Sequence, residues 1–200
     1  MSPRPNVSDE RRTQIIESAI NVFSRQGFNN TRMDDVAAES GLSKGLLYWY
    51  FKSKDEIIIA IADLLFGAEF RKMQEHSSIG LTARARLESF VENFTEDVQH
   101  LLNVAPVIYE FYALAFRNSK VRAVMQEFLG RFVSILEPIV QQGMDSGEFT
   151  PGDARQVTVA IGAALEGTLL LWAYAPDIVQ PEKQLHLSMK LILEGLEIRK

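Results

Sequence analysis

The sequence predicts an all-α protein, a three-helix N-terminal unit followed by a larger helical domain. Apolar residues recur at helical spacing in window after window, and short stretches rich in Gly, Pro and Asp separate the windows. A third observation is local. Residues 31–56, TRMDDVAAESGLSKGLLYWYFKSKDE, hold two short helical patterns around one glycine-centred turn.

The first helix is expected over about Asp9–Arg25, with Ile15, Ile16, Ala19, Ile20 and Phe23 as its buried stripe. Thr31 is expected to cap the second, with Asp34 three positions on, where an acidic group suits the helix dipole. Val36, Ala37 and Leu42 give the apolar spacing of a short helix and its turn. Gly41 sits at the reversal, where glycine takes a left-handed conformation without steric cost. Ser43 restarts the chain as a cap, and Leu46, Leu47 and Tyr50 are read as an inward face. The opposite face offers Lys44, Gly45, Tyr48 and Trp49. Phe51 is read as core. Ser53 with Glu56 forms a capping box for a fourth helix, so Lys52 and Lys54 flank a helix N-terminus, an anion-binding end.

The fourth helix carries Ile57, Ile58, Ile61, Leu64, Leu65 and Phe70 and is expected to break near His76 to Ser78. A following helix carries Leu87, Phe90, Val91, Phe94 and Val98, and Pro106 is read as the start of the next. Val121 to Gln142 repeats the pattern, with Pro138 expected to kink or divide it. The stretch 143–153 reads as a loop, and the last two helices run roughly over Asp153–Tyr174 and Glu182–Ile198.

Small and polar groups toward base edges, with aromatic and basic groups toward phosphate, are what a recognition helix needs. Lys44 and Tyr48 are candidates for base-edge or adjacent phosphate contact. Thr31, Arg32, Ser43, Gly45, Trp49, Tyr50, Lys52 and Lys54 complete the DNA-facing set. The segment resembles the DNA-binding domain of the TetR family of bacterial transcriptional regulators. The resemblance rests on Ala19, Phe23, Gly27-Phe28, Thr31, Val36-Ala37, Gly41-Leu42-Ser43, Gly45-Leu46-Leu47-Tyr48, Tyr50-Phe51 and Lys54-Asp55-Glu56. It implies a homodimer with a helix-turn-helix domain over residues 1–52 and a helical effector-binding and dimerisation domain over 53–200. It further implies that a small molecule modulates DNA affinity, with repression as the family default.

The net charge of −5 runs against DNA binding until the chain is divided. Residues 1–55 hold 8 Lys+Arg against 7 Asp+Glu, and residues 56–200 hold 13 against 19. The acidity therefore lies outside the head, and local field governs groove binding. Apolar residues at 46% and charged residues at 24% are ordinary for a soluble globular protein. Cysteine is absent, which fits a reducing cytoplasm. The start MSPRPNVSDERR lacks a signal core. Val157 to Ala175 is interrupted by Thr158, Glu166 and Thr168, which argues for a packing helix over a membrane span.

The eighth helix is apolar on more than one side, and the resemblance implies that with the terminal helix it pairs with its twofold mate in a four-helix bundle, the alternative being intrachain core throughout. Effector contacts are expected among Phe66, Phe70, Phe90, Phe94, Tyr109, Tyr112, Phe116, Phe128, Phe132 and Trp172. Glu110 and Glu166 join them as carboxylates among apolar neighbours, each needing a partner if buried. The apolar character of this set points to an apolar or aromatic effector. His76, His100 and His186 lack metal spacing, and no Walker loop, dinucleotide fingerprint or nucleophile elbow occurs, so neither a cofactor nor catalysis is expected. The alternative is a helical ligand-binding or enzymatic protein whose helix-turn-helix is only scaffold.

Overall fold

The computed structural model describes residues 7–75, 81–96 and 98–197. Within them the order is α1 (Val7–Gln26), α2 (Met33–Ser40), α3 (Lys44–Tyr50), α4 (Lys54–Glu75), α5 (Ala83–Glu96), α6 (Val98–Ala115), α7 (Ser119–Asp145), α8 (Ala154–Tyr174) and α9 (Pro181–Leu196). Arg4, His76 and the side chains of Phe66, Phe70 and His100 lie outside what is described. The chain divides into two compact units: Met1–Phe66 with Pro106–Met125, and Gly67–Ala105 with Gln126–Lys200.

In the first unit α1 packs on α2, and α2 on α3. Ile15, Ile16, Ala19 and Phe23 are buried as their spacing predicts, with Val22 beside them and Ile20 half-buried. Arg25 clasps Glu39 through two hydrogen bonds at 3.1 and 2.5 Å. Gln14 Nε2 donates to the Ser40 carbonyl at 2.8 Å, serving an acceptor that the end of α2 leaves open.

Two local expectations fail, and the division expected as one outcome at Pro138 is absent. The cap of α2 is Arg32, whose backbone N–H donates to Asp35 Oδ2 at 2.7 Å, while the Thr31 hydroxyl turns back to the Gly27 carbonyl at 2.8 Å. Pro106 lies inside α6, and Val98 opens that helix rather than closing α5. One missing donor is outweighed there by the burial of Leu102, Ala105, Val107 and Ile108. Pro138 likewise stands within an undivided α7. Pro138 and Ser134 are both exposed, so water can serve the Ser134 carbonyl that lacks a donor.

In the second unit α9 packs on α8 and on α5. The core there runs through Leu87, Leu136, Phe149, Ile161, Leu185 and Leu193. Glu148 seals the start of α5, accepting from the Ala83 and Arg84 amides at 2.9 Å each. An anion at a helix N-terminus satisfies open donors and suits the dipole. Phe149, fully buried, pairs with Glu197 in an isolated antiparallel bridge. A Cβ at Gly143 would stand 2.2 Å from the Phe149 ring, so this crossing requires glycine.

Phe149→Ala is expected to cost about 3–5 kcal/mol in urea denaturation. Phe116→Ala, at a side chain 82% exposed, is expected to stay within about 0.5 kcal/mol of wild type.

Candidate nucleic-acid interface

Gly41 closes α2 at φ +66, and the amides of Gly41 and Leu42 return to the carbonyls of Ala38 and Ala37. Ser43 then caps α3, its Oγ accepting from the Leu46 amide at 3.2 Å. Of the three residues read as the inward face of α3, Leu47 is fully buried and Tyr50 half-buried, while Leu46 is 37% exposed. Seven residues make barely two turns, so a single side chain anchors the helix. The other face presents Lys44, Gly45, Tyr48 and Trp49 to solvent, with Tyr48 and Trp49 at 43% and 65% exposure. Trp49 meets Tyr50 edge to face, with ring centres 4.6 Å apart. Phe51 is buried, as read, under the Arg12 guanidinium.

The cations differ in availability. Lys44 Nζ reaches Asp34 Oδ2 at 2.6 Å, and that hydrogen bond, then the carboxylate charge, raises its pKa above the usual lysine value. Both side chains are more than half exposed, so the pair is weak and easily exchanged for phosphate. Lys52 is exposed, its ammonium resting on the Tyr48 carbonyl at 2.7 Å. Arg32 is exposed, whereas Thr31 is buried.

Lys54 is differently placed. Its ammonium donates to the Phe28 carbonyl at 2.6 Å and stands 4.4 Å from the centre of the Phe28 ring. Desolvation lowers its pKa, against the opposing pull of Asp55, Glu110 and Asp35. The capping box expected at α4 is half present. Ser53 Oγ accepts from the Glu56 amide at 3.3 Å, but Glu56 Oε2 takes the Lys52 amide instead of that of Ser53.

Two family models match this architecture. The model of bacterial regulatory proteins of the tetR family matches residues 15–61, and the C-terminal model of BetI-type transcriptional repressors matches residues 83–196. The chain belongs to the TetR family. A TetR-family relative, the HTH-type transcriptional regulator YfiR of Bacillus subtilis (strain 168), is 34% identical over 157 residues, 76% of this chain and 75% of its own. Among solved structures, a transcriptional regulator from Saccharomonospora viridis in complex with choline has a TM-score of 0.82 at 21% identity, covering 96% of this chain and 100% of its own. FadR from Bacillus subtilis in complex with stearoyl-CoA has a TM-score of 0.79 at 24% identity, covering 92% and 99%. Both share the all-α fold. The protein is a ligand-responsive transcriptional regulator of the TetR family, a family that binds operator DNA, dimerises and binds small-molecule effectors.

The residues expected to contact an effector fall in both compact units. Phe90 packs near Phe94 and Phe132, ring centres 6.2 and 6.1 Å apart, and Trp172 lies partly buried on the same core. Phe128 is buried in that unit beneath the Arg131 guanidinium. In the first unit Tyr109 and Tyr112 pair at 6.1 Å, Phe116 is exposed, and Glu110 faces the head. Glu166 is solvent-exposed in the single chain, where its neighbours on α8 suggested burial.

Gly41→Ala is expected to destabilise the protein by about 1–2 kcal/mol, because φ is positive there. Gly45→Ala meets open space inside a helix and is expected to raise stability by about 0.5–1 kcal/mol. Thermal unfolding of both variants checks the contrast.

Proposed function

We propose that this protein is a cytoplasmic repressor that binds palindromic operator DNA as a homodimer and is released by a small apolar or aromatic effector. Residues 1–52 read DNA, and residues 53–200 hold the effector and dimer surfaces. The observation that carries this is the exposed face of α3, with Lys44, Gly45, Tyr48 and Trp49 on a short capped helix anchored through Leu47. Gly45 leaves room for backbone to approach base edges, Lys44 and Tyr48 contact bases or nearby phosphate, and Arg32, Trp49 and Lys52 grip the backbone. Ser43 and Tyr50 set the pose of α3, and Thr31 and Lys54 hold the turn behind it.

Two heads of a dimer reach successive major grooves about 34 Å apart. The surface that supports dimerisation is apolar and exposed: Val159, Leu170, Leu171 and Tyr174 on α8, with Leu187 and Leu191 on α9. The Phe90, Phe94, Phe132 and Trp172 group supports an apolar effector. The stearoyl-CoA and choline of the two solved relatives set the test panel. α4 is one helix from the cap at Ser53 onward, so an effector that displaces it changes the separation of the heads. A difference of about 1–3 kcal/mol in effector affinity between conformers shifts DNA affinity roughly 5- to 150-fold.

Selection of bound fragments from sheared source-genome DNA at near-physiological salt is expected to enrich a few sequences sharing an inverted repeat. Flat enrichment by a soluble dimer that contains no carried-over ligand would sink the reading. Stearoyl-CoA and choline, added separately to the selected fragment, then ask which chemistry releases it.

Asp34→Asn removes the partner of Lys44 without touching the buried face of α3. It is expected to tighten duplex binding roughly 2- to 5-fold per head at low salt. The gain should fade as salt rises. Fluorescence anisotropy across a salt series checks it.

A further inference from the structure

One residue in the head, Phe28, is gripped from two helices. Gly27 follows α1 at φ +78, and its amide returns to the Phe23 carbonyl at 2.8 Å. At such a helix end the next amide commonly folds back as well. Here the Phe28 amide donates instead to Glu110 Oε1 on α6, at 2.5 Å, 82 positions along the chain. The Phe28 carbonyl accepts from Lys54 on α4. The Phe28 side chain is buried edge-on against Phe23, with ring centres 5.3 Å apart, so this residue moves with the end of α1. Thr31, the residue before α2's cap, fastens the same turn by donating its hydroxyl to the Gly27 carbonyl. A second tie runs from Asn118 Nδ2 to Asp55 Oδ2 at 3.2 Å, while Asn118 Oδ1 accepts from the Lys120 and Val121 amides at the start of α7.

We propose that Glu110 is the positioning residue through which α6 sets the orientation of the DNA-reading head, in place of the effector contact that its apolar neighbours suggested. The inference rests on the DNA-reading function above and adds to it the residue that fixes the head. A carboxylate is an acceptor only, and a charged acceptor makes a shorter and stronger bond to a backbone amide than a neutral one. Such a bond weakens within a few tenths of an ångström, so it distinguishes sharply between two positions of the helix that carries it. α6 continues through Pro106 as one helix, so its displacement carries Glu110 along. While the bond stands, Phe28 is held from both sides. Once it breaks, the turn loses its tie to α6 and is left to Lys54 on α4 and to Thr31 within the head, and the head gains freedom about α4. Two heads with that freedom still meet phosphate, but they no longer hold the spacing that a palindrome demands. Specific binding therefore suffers and non-specific binding does not.

The test uses the full-length dimer, the fragment selected by the wild type, and a scrambled duplex of equal length. Glu110→Ala is expected to lower the ratio of specific to non-specific affinity about tenfold or more, leaving affinity for the scrambled duplex unchanged. Glu110→Gln, whose amide oxygen still accepts, is expected to retain part of the ratio. Hydrogen exchange is expected to speed up at the Phe28 amide in Glu110→Ala, and less in Glu110→Gln. An unchanged ratio with unchanged exchange would overturn the proposal. So would an equal loss on both duplexes, the mark of a merely structural residue. A wild type that selects no fragment sinks the DNA-reading function itself and the proposal with it. A wild type that selects one, beside a Glu110→Ala variant that keeps its full ratio, sinks only the role of Glu110.

Discussion

A seven-residue helix in water does not persist alone, because nucleation costs more than so few hydrogen bonds return. Everything α3 offers to DNA depends on its being held, and the hold is small: Ser43 at its start, Leu47 beneath it and the reversal at Gly41 before it. Those three contacts in turn need α2 in place, which the Arg25–Glu39 pair and the Gln14–Ser40 bond fix against α1. Burial and capping thus fall to one set of side chains and the exposed face to another. This division is why residues on the outer face of α3 can vary without unfolding the head.

Where a rule acts within one or two turns, the structure was legible in the chain. Gly41, Ser43, Leu47, Phe51 and the two terminal helices follow from spacing, capping and conformational freedom alone. Thr31 failed because two neighbouring residues could each end the turn, and its hydroxyl found a closer acceptor in the Gly27 carbonyl. Pro106 failed because the rule for proline is a local cost, which burial on both sides of it outweighs. Glu110 shows the limit best. A carboxylate within VIYEFY signals the need for a partner, yet that partner is a backbone amide far along the chain. No pattern in sequence marks which amide is left open. The same holds for Lys54, whose position in the motif suggested phosphate and whose ammonium rests on a carbonyl.

The near-neutral head is also clearer from the contacts than from the count. Each acid of α2 is already engaged, since Asp34 holds Lys44, Asp35 receives the Arg32 amide, and Glu39 holds Arg25. The Arg25–Glu39 pair joins α1 to α2 with the Glu39 side chain 28% exposed, while the Lys44–Asp34 pair joins α2 to α3 with both side chains more than half exposed. On the proposed reading only the second lies on the DNA-facing helix. In the proposed DNA complex phosphate must displace a carboxylate from Lys44, which restrains non-specific affinity and leaves discrimination to geometry.

Geometry of that kind needs two heads at a fixed distance, and α8 offers a surface for it. Among the described residues it is the one helix long and apolar enough to cross a membrane, and 22% of its apolar window is buried within the chain. Its buried residues, Thr158, Ile161, Leu165 and Thr168, follow helical spacing along one side. Val159, Leu170, Leu171 and Tyr174 lie outside that stripe and are exposed. A lipid-facing helix would not place Glu166 among solvent-exposed positions of its middle turns without a partner for the charge. A second copy suits the observed surface better. In the proposed dimer that copy covers the aliphatic residues of α8 and α9 together, and at the edge of such an interface Glu166 keeps its water. On this argument the apolar excess of α8 serves the same end as the bond at Phe28, the fixed separation of two reading heads.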